Sequence, residues 1–116
     1  MALDMNGGPT WMPKHGCGGP ILIDIEKGEA YKQPSFYALG HFSKFIAPDS
    51  VRIFHEMSQK IEGLSVLTAK RPDGAVVVVV LNSSGEQIII NIIDSEDKYF
   101  SHKISSHSIQ TYIWWD

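Results

Sequence analysis

Residues 71–82 read RPDGAVVVVVLN and carry the strongest fold signal in the chain. Pro72 presets φ for the first corner of a turn and Gly74 accepts the left-handed conformation, so this segment begins with a tight hairpin turn. The run Val76–Val80 is apolar at every position, whereas a strand with one face in water alternates. We therefore predict a central strand over 75–82 that is covered on both faces.

Outward from this strand, the sequence keeps a period of two, and turn signals recur about every ten residues. This pattern is typical of an antiparallel sandwich or barrel. In the last strand we expect Tyr112 and Trp114 to lie on the face away from the core and to pack on something else. We predict a mainly β protein, an antiparallel, Greek-key-like β-sandwich of about six to seven strands. The expected strands lie near 51–57, 64–70, 75–82, 87–93, 98–104 and 108–115.

The first third of the chain has a different character. Residues 1–19 are rich in Gly and Pro and predict a loop, and a short strand is expected over 20–26. Pro34 suits a helix start, and apolar residues then recur at three- and four-residue spacing, which predicts an amphipathic helix over 34–46. Gly40 inside it indicates close packing on a neighbour. We divide the chain into residues 1–49 and a sandwich domain, 50–116.

Composition excludes several classes of function. The 116 residues are sufficient for one compact core. The net charge is −3, and the basic residues are scattered, which argues against nucleic-acid binding. The apolar runs are much shorter than the ~20 residues of a membrane helix, so no transmembrane segment is expected. Met1 is followed by neither a basic nor an apolar leader segment, so we expect no signal peptide and a cytoplasmic protein if Met1 is the natural start.

Several motifs together resemble a known family. They are Gly7-Gly8-Pro9-Thr10-Trp11, the strand 20–25 (PILIDI), the helix region 31–46 (YKQPSFYALGHFSKFI), Asp73-Gly74 before the valine run, and 108–112 (SIQTY). In this order they resemble the C-terminal end of the glucosylceramidases, acid β-glucosidases of glycoside hydrolase family 30. The resemblance covers nearly the whole chain.

The resemblance implies a fold and a reaction. In that family a (β/α)8 barrel carries catalysis, and a β-sandwich built from both ends of the chain packs beside it. The first residues would be the tail of the last barrel strand, residues 33–46 the last barrel helix, and residues 50–116 the C-terminal strands of the sandwich. The reaction would be retaining hydrolysis of glucosylceramide or another β-glucoside in a lysosome. Both catalytic glutamates lie on earlier barrel strands of the family, so we expect no catalytic residue, no cofactor and no activity of this chain alone.

The resemblance points to one position near substrate. Trp11 and the loop after it lie where the family's loop borders the glucose site, so Trp11 is the candidate residue of the substrate rim. The sequence departs from the family there. The family has an Asn and then an Asp-Ser before the Pro-Ile strand, whereas residues 13–19 of this chain read PKHGCGG.

Other polar residues give weaker signals. Asp24 and Glu26 lie two apart on one predicted strand face and could form an acid/base pair, but such pairs are more often solvent-exposed. His15 and Cys17 are too few for a zinc site, so no metal is expected. The remaining histidines receive no role. Cys17 is the only cysteine, so no disulfide within the chain is expected.

Two features of the predicted sandwich could have a role at its surface. Asn82-Ser83-Ser84 is a sequon for N-glycosylation in a predicted turn. Trp114 and Trp115 could stack on a sugar ring, although packing is the commoner role for such residues.

Three hypotheses follow. The chain is a non-catalytic C-terminal portion of a glucosylceramidase-like enzyme, whose partner would be the missing barrel domain or an intact homologue. Alternatively, it is an interaction module that binds carbohydrate, lipid or an intact homologue through Tyr112 or Trp114. A third hypothesis is a truncated product without function. In each case unpaired strand edges predict marginal stability in isolation.

Overall fold

The computed structural model describes residues 2–8, 18–95 and 98–115. The chain divides into two compact units, Met1–Phe42 and Ser43–Asp116. The described elements are, in chain order, β1 (Ala2–Asp4), β2 (Ile21–Asp24), β3 (Glu29–Lys32), α1 (Pro34–Ser43), β4 (Val51–Arg52), β5 (Leu64–Lys70), β6 (Ala75–Asn82), β7 (Ile88–Ser95), β8 (Lys98–Ile104) and β9 (Ser108–Trp115).

The first unit contains a three-stranded sheet in the order β1-β2-β3. β1 runs parallel to β2, and β2 runs antiparallel to β3. β1 lies inside the segment 1–19 that composition predicts to be a loop, so that prediction is wrong for residues 2–4, where the resemblance instead implies the tail of a strand. The predicted strand 20–26 ends at Asp24, because a turn follows in which Gly28 adopts a φ of 65°. Strands of three or four residues are too short to give a periodic pattern.

Helix α1 ends at Ser43, three residues before the predicted end, and buries none of its residues. Leu39 is 55% exposed and Phe42 is 41% exposed. A Cβ added at Gly40 would meet nothing within 4 Å. The prediction that Gly40 marks close packing is therefore wrong within the described residues, because no other described element of the first unit covers that side of the helix.

The second unit confirms the predicted antiparallel sandwich. Its larger sheet has the order β4-β5-β6-β9, and β7 and β8 form a second, two-stranded sheet. Every pairing in both sheets is antiparallel. The two sheets share one core, in which valines of β6 contact Ile104 of β8 and partly buried isoleucines of β7.

Strand β6 occupies the centre of the larger sheet, as predicted. Val76, Val78 and Val80 face the shared core, and Val77 and Val79 on the opposite face are equally buried. A strand with both faces dry can be apolar at every position, which explains the uninterrupted valine run.

Strand β9 corrects one prediction. Trp114 pairs with Val76 and Tyr112 pairs with Val78, so both aromatic side chains lie on the same face as the core valines. They pack against the shared core. The expectation that they lie away from the core is wrong, because alternation identifies the two faces of a strand but not which of them is turned inward.

The strand predicted over 51–57 is also shorter than expected. β4 pairs only Val51 and Arg52 with β5, and the chain then leaves the sheet. The Ile53 N–H still donates to the carbonyl of Thr68 at 3.1 Å. Phe54 is 84% exposed, so the apolar residues of this segment do not alternate between core and solvent.

Candidate functional site

The predicted rim residue Trp11 lies outside the described residues, as do His15 and Cys17. The described segments on either side of that loop belong to the first unit. They line a cavity of about 530 Å³ between the end of β1 and the start of α1, whose walls include Met5, Asn6, Gly18, Gly19, Gln33 and Pro34.

One acidic residue, Asp4, stands beside this cavity. One oxygen of its carboxylate accepts the backbone N–H groups of Asn6 and Gly8, each at 2.8 Å. Both bonds fix the turn after β1, so Asp4 has a structural role there. Gly19 packs against Leu3 so closely that an added Cβ would lie 2.9 Å from it, which explains why no larger residue stands at this wall.

The two carboxylates that could form an acid/base pair on sequence grounds, Asp24 and Glu26, are not arranged as one. Asp24 is the last residue of β2, and Glu26 lies in the turn that follows, so the two do not share a strand face. Asp24 instead accepts the backbone N–H of Lys27 at 3.2 Å, and its other oxygen lies 3.7 Å from the Lys27 ammonium. Its carboxylate closes a turn, and Glu26 is exposed.

The second unit carries a groove of about 660 Å³ between β7, β8 and β9. Its floor is aromatic. The ring of Phe100 lies 5.1 Å from that of Tyr112 and 5.7 Å from that of Trp114, the latter in an edge-to-face arrangement. His102 also meets Tyr112 edge-on, at 5.8 Å. Burial raises the pKa of the Tyr112 hydroxyl above its ordinary value.

The rim of this groove combines exposed aromatic rings with charge. Tyr99 is 74% exposed and Trp115 is 58% exposed. The indole N–H of Trp114 donates to Asp94 at 2.9 Å, which fixes that ring at the groove wall. Lys98 also lines the groove. Tyr99 and Asp94 could not be identified from sequence, because they reach the aromatic strand only through the pairing of β7 with β8.

Asp73 stands in the β5–β6 turn and holds it together. Its carboxylate accepts the Ala75 backbone N–H at 3.1 Å and lies 2.9 Å from the Arg71 guanidinium. The Trp115 side chain also lies close to it. The Ala75 bond, with the Arg71 charge and the Trp115 contact, holds the pKa of Asp73 below its ordinary value, which is opposite to what a general acid requires.

The histidines do not assemble a site among the described residues. His55 Nδ1 lies 3.1 Å from the Thr68 hydroxyl, which itself donates to the carbonyl of Ile53 at 2.7 Å. His107 adopts a φ of 50° in the turn before β9. Within residues 2–8, 18–95 and 98–115, no group of three metal-ligating side chains occurs.

Asn82, the predicted glycosylation residue, is fully buried at the end of β6. Its amide nitrogen donates to the carbonyls of Glu86 at 2.8 Å and Ser105 at 3.0 Å, and lies 3.4 Å from that of Ile104. Its oxygen accepts the backbone N–H and the hydroxyl of Ser84. Through these hydrogen bonds Asn82 joins the end of the larger sheet to the two segments that flank the smaller sheet, one before β7 and one after β8.

Comparison with known proteins gives the family. A model of the glycosyl hydrolase family 30 β-sandwich domain matches residues 49–112, and the model of that family's TIM-barrel domain matches residues 1–46. The sandwich match alone covers more than half of the chain. The chain belongs to glycoside hydrolase family 30. Its family relatives include lysosomal acid glucosylceramidase of Mus musculus, 42% identical over 98% of this chain, and putative glucosylceramidase 3 of Caenorhabditis elegans, 36% identical over 98%.

This family 30 chain is glucosylceramidase-like and corresponds to the C-terminal portion of these relatives. It spans 22% of the length of each of these two relatives. Among solved structures, SrfJ from Salmonella typhimurium superposes with a TM-score of 0.90 at 23% identity, over 99% of this chain and 25% of that one. The structure of an endo-β1,6-glucanase superposes with a TM-score of 0.85 at 21% identity, over 99% of this chain and 26% of that one. Both confirm the fold.

The region matched by the TIM-barrel model contains helix α1. Neither α1 nor any other helix within the described residues has the length and apolar character needed to cross a bilayer.

Proposed function

We propose that this chain is the non-catalytic C-terminal portion of a retaining β-glucosidase that hydrolyses glucosylceramide to glucose and ceramide. The observation that supports the proposal most strongly is the 42% identity to lysosomal acid glucosylceramidase, which extends over both units. A lysosomal location of the longer protein belongs to the same proposal.

Under this proposal the catalytic groups would lie in the rest of the longer protein. Retention requires two carboxyl groups about 5–5.5 Å apart, one as acid/base and one as nucleophile. The acidic residues that the sequence offered as a pair, Asp24 and Glu26, lie on a strand end and in a turn. Asp73 has a lowered pKa and serves a hairpin turn. The catalytic pair would lie in the barrel of the longer protein, which needs about 250 residues.

The role of the chain would then be to complete and support that barrel. Helix α1 presents exposed apolar side chains, including Tyr37 and Leu39, that a barrel would cover. The described segments on either side of residues 9–17 would help to shape the glucose site, with Trp11 as the candidate residue of its rim. The partner of this chain would be the barrel or an intact homologue.

A fluorogenic β-glucoside tests the first part of this proposal. The purified chain is expected to release no product above a buffer blank at pH 5 or pH 7. Turnover that disappears when a single carboxylate of the chain is changed to its amide would contradict it. The supporting role is tested by transfer into an intact relative, described at the end of the Discussion.

The aromatic groove favours a second candidate function, a module that binds carbohydrate or glycolipid. Exposed aromatic rings stack on the apolar faces of sugars, and neighbouring charged groups bind hydroxyls. Tyr99 and Trp115 provide the rings, and Asp94 and Lys98 the charged groups.

Titration calorimetry with glucosylceramide micelles and with soluble β-gluco-oligosaccharides tests this candidate. Saturable binding should be lost in Tyr99→Ala and Trp115→Ala. It should persist in Tyr37→Ala, the matched control, because Tyr37 is similarly exposed but lies on helix α1. Absence of binding by the wild-type chain, or equal loss in the control, removes the module hypothesis and leaves the supporting role.

A further inference from the structure

We propose that an N-glycan on Asn82 and the folded sandwich exclude one another, so that this sequon can accept a glycan only in the unfolded chain and the glycan then prevents folding. The inference rests on the geometry around Asn82. It does not depend on the glycosidase function proposed above.

The first argument is the position of the acceptor in the sheet. Asn82 is the last residue of the central strand, where its Cα pairs with Leu64 on one side and Ser108 on the other. Its exposed fraction is 0%. An enzyme that transfers a glycan must enclose the sequon in its own site, and a central strand cannot leave the sheet without breaking both ladders.

The second argument is the chemistry of the nitrogen. In the transfer, Nδ2 forms a bond to the anomeric carbon of the oligosaccharide, the bond from that carbon to a lipid diphosphate oxygen breaks, the diphosphate leaves, and Nδ2 loses one of its two protons. In the fold both protons point at carbonyl groups, those of Glu86 at 2.8 Å and Ser105 at 3.0 Å. A glycosylated nitrogen keeps one proton, and its new carbon must take the place of one of these carbonyls.

The third argument is the lack of space for a sugar ring. The same nitrogen lies 3.4 Å from the carbonyl of Ile104, and that residue is itself fully buried. On the other side of the amide, the Ser84 hydroxyl, which a transferase must also recognise, is bound to the Asn82 oxygen at 2.7 Å. Both recognition groups of the sequon are thus held by the fold.

The test compares this sequon with an exposed one in the same molecule. Glu56→Asn creates an Asn-Met-Ser sequon over residues 56–58, which are all exposed and lie in the segment between β4 and β5. The purified Glu56→Asn chain is incubated with a single-subunit oligosaccharyltransferase and a short lipid-linked chitobiose donor. Peptide mass mapping then measures occupancy of each site.

The expected result is occupancy of the new site and at least about tenfold lower occupancy of Asn82. In an unfolded reference the two sites should become similar. This reference is the Val77→Asp variant, whose loss of cooperative unfolding is verified by circular dichroism, together with a peptide of residues 80–88. Equal occupancy of the two sites in the folded chain would overturn the proposal. The same holds if Asn82 is not glycosylated in either unfolded reference. A wild-type chain without a cooperative transition would also overturn it, because the protection requires the folded sheet.

The effect on folding is tested with chains glycosylated during cell-free synthesis, before folding is complete. Chains that carry a glycan only at Asn82 are expected to show no cooperative thermal transition. Those that carry it only at the residue 56 site should keep the transition of the unmodified chain. A cooperative transition in the first group would contradict the proposal.

Discussion

Replacement of Asn82 by Asp changes one amide into a carboxylate of nearly the same size at a fully buried position. Two hydrogen bonds, to the carbonyls of Glu86 and Ser105, are lost. They stabilise the fold by about 1 kcal/mol each, and leaving buried acceptors without a donor costs about 2 kcal/mol more. The expected loss in the free energy of unfolding is about 4 kcal/mol, a large part of the ~5–15 kcal/mol of a typical domain.

Urea denaturation followed by tryptophan fluorescence measures this loss. The control is Asn91→Asp, because Asn91 is exposed and its side-chain oxygen accepts from Ser101, which a carboxylate can still do. That variant should lie within about 0.5 kcal/mol of wild type. A difference of less than about 1 kcal/mol for Asn82→Asp would refute the view that Asn82 joins the two sheets.

The same variant should depend on pH in a defined direction. Burial against carbonyl oxygens should raise the pKa of the new carboxyl above the ordinary value of about 3.9. A raised folded-state pKa means that the destabilisation is smallest below about pH 4 and grows as pH rises through the folded pKa. A stability difference from wild type that is constant between pH 3 and pH 7 would contradict the burial of the charge.

Three further predictions concern the sandwich. Gly63→Ala should lower the free energy of unfolding in urea by about 1 kcal/mol more than Gly74→Ala does. Both glycines have a positive φ, but an added Cβ at Gly63 meets Ser84 at 3.0 Å, whereas one at Gly74 meets nothing within 4 Å. Equal losses would show that the contact with Ser84 is not tight. Asp73→Asn should flatten the decline of stability below about pH 4, because the pKa of Asp73 is lowered in the fold and its contribution is lost as pH falls through that pKa; an unchanged acid profile would argue against this. Phe100→Ala should lower the free energy of unfolding by about 2 kcal/mol through loss of the aromatic cluster in the groove; thermal unfolding with no change would place the cluster outside the core.

The sandwich could be predicted from sequence to the extent that its residues obey a local rule. The valine run has only one common explanation in a β protein, a central strand, and the Pro72–Gly74 turn fixes its start. Helix α1 likewise follows from Pro34 and the apolar spacing. The inward face of β9 could not be predicted, because both of its faces are apolar and only the position of the second sheet decides between them.

The site was harder to predict because its residues act through tertiary pairing. Tyr99 and Asp94 meet the aromatic strand only after β7 and β8 have formed their hairpin. Asn82 matches a three-residue motif that describes an exposed turn, while two of the carbonyl groups that its amide meets belong to Ile104 and Ser105, more than 20 residues away. A local motif does not record such distant hydrogen bonds.

Exchange into an intact relative tests the central claim most directly. The C-terminal portion of mouse lysosomal acid glucosylceramidase is replaced by this chain, and a second chimera takes only residues 18–116, so that the mouse enzyme keeps its own rim loop. If the chain is the non-catalytic support of a β-glucosidase, kcat/KM for glucosylceramide in the second chimera should stay within about tenfold of the mouse enzyme. A folded second chimera whose kcat/KM falls by about a thousandfold or more would contradict the account.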